Sequence, residues 1–189
     1  EMWNWREVEP YFQKLEGVSG IFSYPGMGTR GPIKIEKAIS NWSVIDAWLE
    51  SAILSGHSLN HGYNLSNQEG VGLYQQTLDR GVRSSTSKAY LFPIKQRSNL
   101  TVYTRTSAKR LIFAGRKVIG LELDRDGTNF SVFCTTEVIL SAGAIGSPHI
   151  LMLSGIGPEA NIRDHGIQVK LNMPGVGQNL QDHVQARPI

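Results

Sequence analysis

His57 and His61 stand four apart, the spacing at which a helix would put two imidazoles on one face to hold zinc. Gly56, Asn60 and Gly62 argue against a helix there, and no cysteine or third histidine joins the pair. They read as structural or solvent-exposed histidines. Asp182-His183 invites an arrangement in which a carboxylate orients an imidazole for proton transfer. Neighbours on a strand or helix point apart, however, and no serine or cysteine sits in a nucleophile elbow. Ser84-Ser85-Thr86-Ser87 opens a helical pattern whose backbone N–H groups could hold an anion. Without a Gly-x-Gly-x-x-Gly beside it, a helix cap is the better reading. The remaining group is chemically inert. Ser141-Ala142-Gly143-Ala144 offers no acid, base or nucleophile suited to catalysis, only room for backbone to approach a ligand.

The elements around that small-residue run would aim it. Val138-Ile139-Leu140 has the length of a buried strand, and Ser147-Pro148 reads as an N-cap and first-turn pair. Ile150-Leu151-Met152-Leu153 follows as a short helix, with Gly155 as its C-terminal cap. Strand, turn and helix together resemble the places in open α/β sheets where ligands lie beyond strand ends. Upstream, from Asn99, the apolar period becomes two. Leu100 to Val102, Lys109 to Phe113, Val118 to Leu123 and Phe130 to Cys134 are strand candidates. Gly115 and Asp126-Gly127 mark turns, so the last three are expected to form an antiparallel meander. Downstream, Pro158 opens a helix that Gly166 closes, and Ile167, Val169 and Leu171 alternate as a strand.

The amino-terminal part is less informative. Val8, Tyr11, Phe12 and Leu15 line one face of a helix over residues 3–16, with Pro10 expected to break or offset its first turn. Residues 23–31 read as loop and Pro32-Ile33-Lys34-Ile35 as a short strand. Residues 43–54 give the clearest amphipathic helix, expected behind a Ser43 cap and packed into the core. Residues 81–93 read as a capped helix of about two turns.

The 189 residues, 40% hydrophobic, suffice for one sizeable core. The chain opens at Glu1 inside a helical pattern and closes at Ile189 without a terminating element, so it is expected to be an internal piece of a larger protein. A net charge of +3 with scattered Lys and Arg gives no support to nucleic-acid or membrane-surface binding. Cys134 is alone, which rules out an internal disulfide or a CxxC metal site. Asn41-Trp-Ser43, Asn64-Leu-Ser66, Asn99-Leu-Thr101 and Asn129-Phe-Ser131 are N-glycosylation acceptor patterns, and they tilt the expected location toward secreted, with a cytosolic origin left open.

Read in order, residues 143–157 resemble the second signature of the glucose–methanol–choline family of flavin oxidoreductases: small residues, Ser-Pro, an aliphatic run, then Ser-Gly-Ile-Gly. The resemblance extends along the chain. Trp3-x-Trp5 with Pro10-Tyr11-Phe12, Gly31-Pro32-Ile33-x-Ile35, Gly81-x-Arg83-x-Ser85-Thr86 with Ala89-Tyr90-Leu91-x-Pro93, and Pro174-x-Val176-Gly177-x-Asn179-Leu180-Gln181-Asp182-His183 follow the family's order. The wording of residues 151–158 and 179–183 is most similar to the animal, glucose-dehydrogenase-like branch.

The resemblance implies an α+β/α/β fold. Residues 94–189 would be part of an FAD-binding Rossmann-like domain, a βα unit plus an antiparallel β-meander, and residues 1–93 part of a substrate-binding α+β region. The implied reaction is oxidation of an alcohol or sugar CH–OH by hydride transfer to FAD, with oxygen or a quinone as electron acceptor. Nucleic acid and metal are not expected as partners. The implied cofactor contacts are the Ala108 backbone against the adenine and Ser141, Ala142 and Gly143 at the adenosine side. No catalytic residue is expected within the chain: the family's catalytic histidine lies near its carboxyl terminus, and none of His57, His61, His149, His165 or His183 has that context. The amino-terminal Gly-x-Gly-x-x-Gly is also absent, so these residues alone are expected to be inactive. A relative that uses FAD only structurally, as a hydroxynitrile lyase does, or a non-catalytic secreted binding protein remains the alternative.

Overall fold

The computed structural model describes residues 3–18, 26–37, 42–64 and 67–184, and its contacts divide the chain into two units, Glu1–Thr101 and Val102–Ile189. Asn41, Leu65 and Ser66, the first residues of the loop at 23–31, and both chain ends lie outside the described residues.

In the first unit, α1 (Trp5–Leu15) is capped by Asn4, whose side chain accepts the Glu7 N–H at 3.1 Å. Glu7 in the first turn and Lys14 in the last both suit the helix dipole. Pro10 lies inside the helix and does not break it, contrary to expectation. It deprives the Arg6 carbonyl of its i+4 donor, and on this exposed surface water can take that place. The chain passes directly into β1 (Glu16–Val18), which pairs in parallel with β2 (Ile33–Lys37). Among the described residues of this unit, Val18 and Ile33 are the buried apolar side chains.

Helix α2 (Ser43–Leu54) has the expected bounds but not the expected cap or burial. Trp42 occupies the N-cap position with no side-chain cap bond, and no α2 residue is buried. Val44, Trp48 and Leu54 are 68%, 59% and 84% exposed, because nothing among the described residues covers their face. The loop from 57 to 74 is tied by buried Asn60, whose Nδ2 donates to the carbonyls of Asn67 and Glu69 and whose Oδ1 accepts the Gly62 N–H. β3 (Gln75–Gln76) pairs antiparallel with β2. β4 (Leu78–Asp79) and β5 (Val82–Arg83) form a hairpin where the sequence suggests a helix start. Arg80 at φ +52° and Gly81 at φ +75° make its turn, and the Glu36 carboxylate accepts both their N–H groups. The helical part is short, a π-helical turn Ser87–Leu91 and a 3-10 turn Phe92–Ile94, and Ser85 Oγ accepts the Lys88 N–H in the manner of a cap.

The second unit opens with the expected antiparallel meander, β6 (Thr106–Ala114), β7 (Lys117–Arg125) and β8 (Thr128–Phe133). Asp126 and Gly127, both at positive φ, turn β7 into β8. Leu100 to Val102 is not a strand. Ala108 pairs with Leu123 and Arg110 with Glu122, so Lys109 is the extra residue of a β-bulge. After the sheet come α3 (Gly143–Leu153), β9 (Ile156–Gly157), α4 (Glu159–Asp164) and β10 (Leu171–Asn172), with β9 and β10 parallel. Leu111, Ile150, Ile162 and Val176 form the core.

Two further strand expectations fail for a shared reason. Among the described residues Val138-Ile139-Leu140 pairs with no strand, and Ile139 is 77% exposed. Of the alternating Ile167, Val169 and Leu171, only Leu171 enters a ladder. Apolar alternation supplies a strand-like chain, but a strand exists only where a neighbour takes its hydrogen bonds.

Candidate cofactor-binding site

The small-residue run lies at the amino end of α3. The helix starts four residues before Ser147, with Ala142 as N-cap and no cap bond from Ala142's own side chain. Gly143 at φ +84° swings the backbone into the first turn, a conformation that L side chains rarely adopt. Ser147 is therefore not the cap. Its hydroxyl reaches back to accept the Ala142 N–H at 3.0 Å, satisfying a group at the helix start that would otherwise be orphaned. Pro148, also inside α3, leaves the Ala144 carbonyl without its i+4 donor. The other end is as expected: Ser154 is the C-cap and Gly155 follows at φ +85°.

Alongside the amino half of α3 runs a groove of about 740 Å³. Ala144, Ile145 and Pro148 form its helix side, and Gly177, Asn179 and Leu180 are among the residues opposite. Gly177, Asn179 and Leu180 all belong to the 174–183 run that follows the family's order, but none of them is among the cofactor contacts that the resemblance implies. Val176 is buried beneath the run, and Gly177 and Asn179 at positive φ bend it against the helix. The groove joins the polar ends of Gln178, Asn179 and Gln181 to apolar Met152 and Leu180, a mixture suited to a ligand with both kinds of surface.

Of the sequence-nominated residues, Ser141, Ala142 and Gly143 are contiguous at the start of α3, exposed, and next to the groove-lining Ala144. Ala108 lies half-buried on β6 at the bulge and does not line the groove. Beside it, Arg110 forms a forked pair with Glu122 at 2.7 and 2.9 Å. The hydrogen bond from Arg110 holds the Glu122 carboxyl below the usual carboxylate range, and the Arg110 guanidinium is raised in return.

The histidines do not assemble into a reactive centre. His57 and His61 are exposed on non-helical backbone. Asp182 Oδ1 accepts the backbone N–H of His183 at 2.8 Å, an interaction with the main chain and not with the imidazole. Among the described residues no three His, Cys, Asp or Glu side chains are grouped to hold a metal ion.

A groove walled by a glycine-started helix and a glycine-bent loop is what the fold offers for ligand binding. The GMC oxidoreductase family profile matches residues 1–185, and the chain belongs to that family. It is 39% identical over 190 residues to the oxygen-dependent choline dehydrogenase of Photobacterium profundum, covering 98% of this chain and 33% of that protein. It is 38% identical over 184 residues to the mitochondrial choline dehydrogenase of Homo sapiens, covering 97% of this chain and 31% of that one. Among solved structures, pyridoxine 4-oxidase from Mesorbium loti superposes with a TM-score of 0.83 at 30% identity, over 92% of this chain and 34% of that chain. An FAD-dependent oxidoreductase from Chaetomium thermophilum gives 0.86 at 26% identity, over 94% and 33%. The chain thus spans about one third of the length of the relatives it matches. These neighbours have the mixed α/β fold expected from the sequence.

The residues present fit a dinucleotide cofactor. A Cβ on Gly143 would meet nothing within 4 Å, so this glycine is required by its backbone angle while the space beyond it is open. On Gly177 a Cβ would approach Met152 Cε at 3.5 Å, in ordinary contact. Backbone can therefore come close to a ligand at Gly143, whereas Gly177 packs against Met152.

Proposed function

We propose that this chain is the portion of a flavin-dependent oxidoreductase that holds the adenosine side of FAD. The observation that carries the reading is the open, side-chain-free start of α3 at Gly143 beside the groove. Ser141, Ala142 and Gly143 leave room for the ligand, and the first N–H groups of α3 face an anionic or hydrogen-bond-accepting moiety. The Ala108 backbone, at the bulge, contributes to the adenine side. When bound, the flavin accepts the hydride from an alcohol or sugar CH–OH group. The base for the hydroxyl proton comes from outside these residues, and oxygen or a quinone takes the electrons.

Within the family, the wording of residues 151–158 and 179–183 favours the animal, glucose-dehydrogenase-like branch, with sugar, polyol, sterol and small primary alcohol as candidate substrates. The choline dehydrogenase names of the relatives favour an amino alcohol instead. Asn99 and Asn129 are exposed acceptors, which supports secretion; a mobility shift on deglycosylation of the natural protein tests it.

The decisive experiment purifies the full-length protein, measures flavin content and follows flavin bleaching without oxygen against glucose, choline, polyols and primary alcohols. Stoichiometric FAD and bleaching by one class are expected. A colourless protein overturns the reading, and bound FAD that no alcohol bleaches favours a structural flavin. The 189 residues alone should bind FAD weakly or not at all and turn over nothing.

A further inference from the structure

Ser154 is 4% exposed and fully engaged. Its hydroxyl donates to the Ile150 carbonyl at 2.6 Å and accepts the Leu111 N–H at 2.8 Å. β6 is an edge strand of its sheet, so Leu111 gives this N–H to a helix cap and not to another strand. Leu111 and Ile150 are themselves only 7% exposed, and the bridge lies at the inner wall of a cavity of about 280 Å³ that Leu111 and Ser154 help to line.

The junction joins two elements that each carry part of the proposed adenosine site. Ala108 lies three residues before Leu111 on β6, and Gly143 starts the helix that Ser154 ends. At the bulge, where β6 has one residue more than β7 opposite it, the Arg110–Glu122 fork holds the β7 side and Ser154 holds the other. Gly155 keeps Ser154 in place, since any Cβ there would lie 2.3 Å from the Gln168 carbonyl oxygen.

We propose that Ser154 is a positioning residue that fixes β6 against α3, and so sets the Ala108 backbone and the Gly143 turn for one adenine nucleotide moiety. This rests on the proposed FAD reading. Ser154 touches no ligand; it acts through Leu111 and the frame of α3.

The test uses the full-length protein stripped of flavin, with FAD, ADP and FMN as probes. Ser154→Ala should weaken FAD and ADP by the same factor, about tenfold for one buried hydrogen bond, while FMN, which lacks the adenosine, is unaffected. Ser154→Thr, which keeps the hydroxyl, should restore both within about twofold, and Ser154→Cys, a weak acceptor, should fall between. Should Ser154→Ala not fold, the Cys and Thr variants decide alone. Equal loss for all three probes, or unchanged FAD and ADP affinity, overturns the positioning role. A parent protein that binds neither FAD nor ADP sinks the cofactor reading itself, a separate result.

Discussion

The two units of this chain are supported in different ways. In the second, nine-residue strands pair along their length, Ser154 bridges Leu111 and Ile150, and Ile162 is buried at 2% exposure. In the first, the strands are two to five residues long, and neither α1 nor α2 buries a side chain. Its order comes from polar fastenings: Asn4 on α1, Asn60 in the long loop, Glu36 on the hairpin turn, Ser84 Oγ accepting the Lys34 N–H. Polar fastenings specify a shape at about 1 kcal/mol apiece, whereas apolar burial supplies most of the stability. Neither α1 nor α2 has a fully buried residue, and Tyr11, Trp48 and Leu54 are 72%, 59% and 84% exposed, so the first unit should gain more stability than the second from any surface that covers these helices.

Substitutions can break this contrast. Gly155→Val should be the most damaging, costing more than about 4 kcal/mol, because φ +85° and the 2.3 Å approach to the Gln168 oxygen both oppose it. Denaturant unfolding of the chain would show it; a variant of normal stability would mean that the junction relaxes freely. Ile162→Ala, at 2% exposure, should cost about 2–4 kcal/mol. Trp48→Ala, at 59% exposure, should stay within about 0.5 kcal/mol in these 189 residues and cost clearly more in the full-length protein. Equal costs for Trp48 in both settings would remove the contrast.

Gly143→Val acts on function more than on folding. Open space surrounds the new Cβ, so only the backbone angle is strained, and FAD occupancy of the full-length protein should drop by about tenfold. Unchanged flavin absorbance after gel filtration would count against the site.

The smallest effect is a pH dependence that the two units share. Hydrogen bonding from Arg110 lowers the Glu122 carboxyl, and hydrogen bonding from Lys88 lowers Asp79. A carboxyl with a lowered folded-state pKa adds stability that is complete above its unfolded value, about 4, and lost as pH falls through the folded one. The melting-temperature gap between the chain and Glu122→Gln should therefore close as pH is taken from about 6 to about 3. Asp79→Asn should behave alike for the first unit, and a gap that widens in acid would contradict both.

The meander was readable because its signals are local: alternation, then glycine or Asp-Gly at each turn. The bounds of α2 were readable for the same reason, but its burial was not, since burial depends on what lies across from it. The start of α3 was misread because Ser147-Pro148 carries the usual marks of a helix start. The actual start is a glycine at positive φ, with Ser147 bonding back from within the helix. The bulge at Lys109 and the hydroxyl bridge from Ser154 have no local signature at all, as each is set by residues more than ten positions away. The residues opposite α3 in the groove could be found only as a motif, since the bend that brings them there is a property of the folded backbone.

Val138-Ile139-Leu140 leads toward Gly143 as an apolar stretch with no ladder partner among the described residues, and Ile139 is 77% exposed. Unclaimed backbone of this kind templates whatever strand arrives first, including the same stretch of another molecule. Solubility of the 189-residue chain should thus be limited at Ile139, and Ile139→Lys should delay concentration-dependent aggregation more than a lysine at exposed Val132 on β8. In a cell, the same stretch makes folding a race between the correct neighbour and self-association.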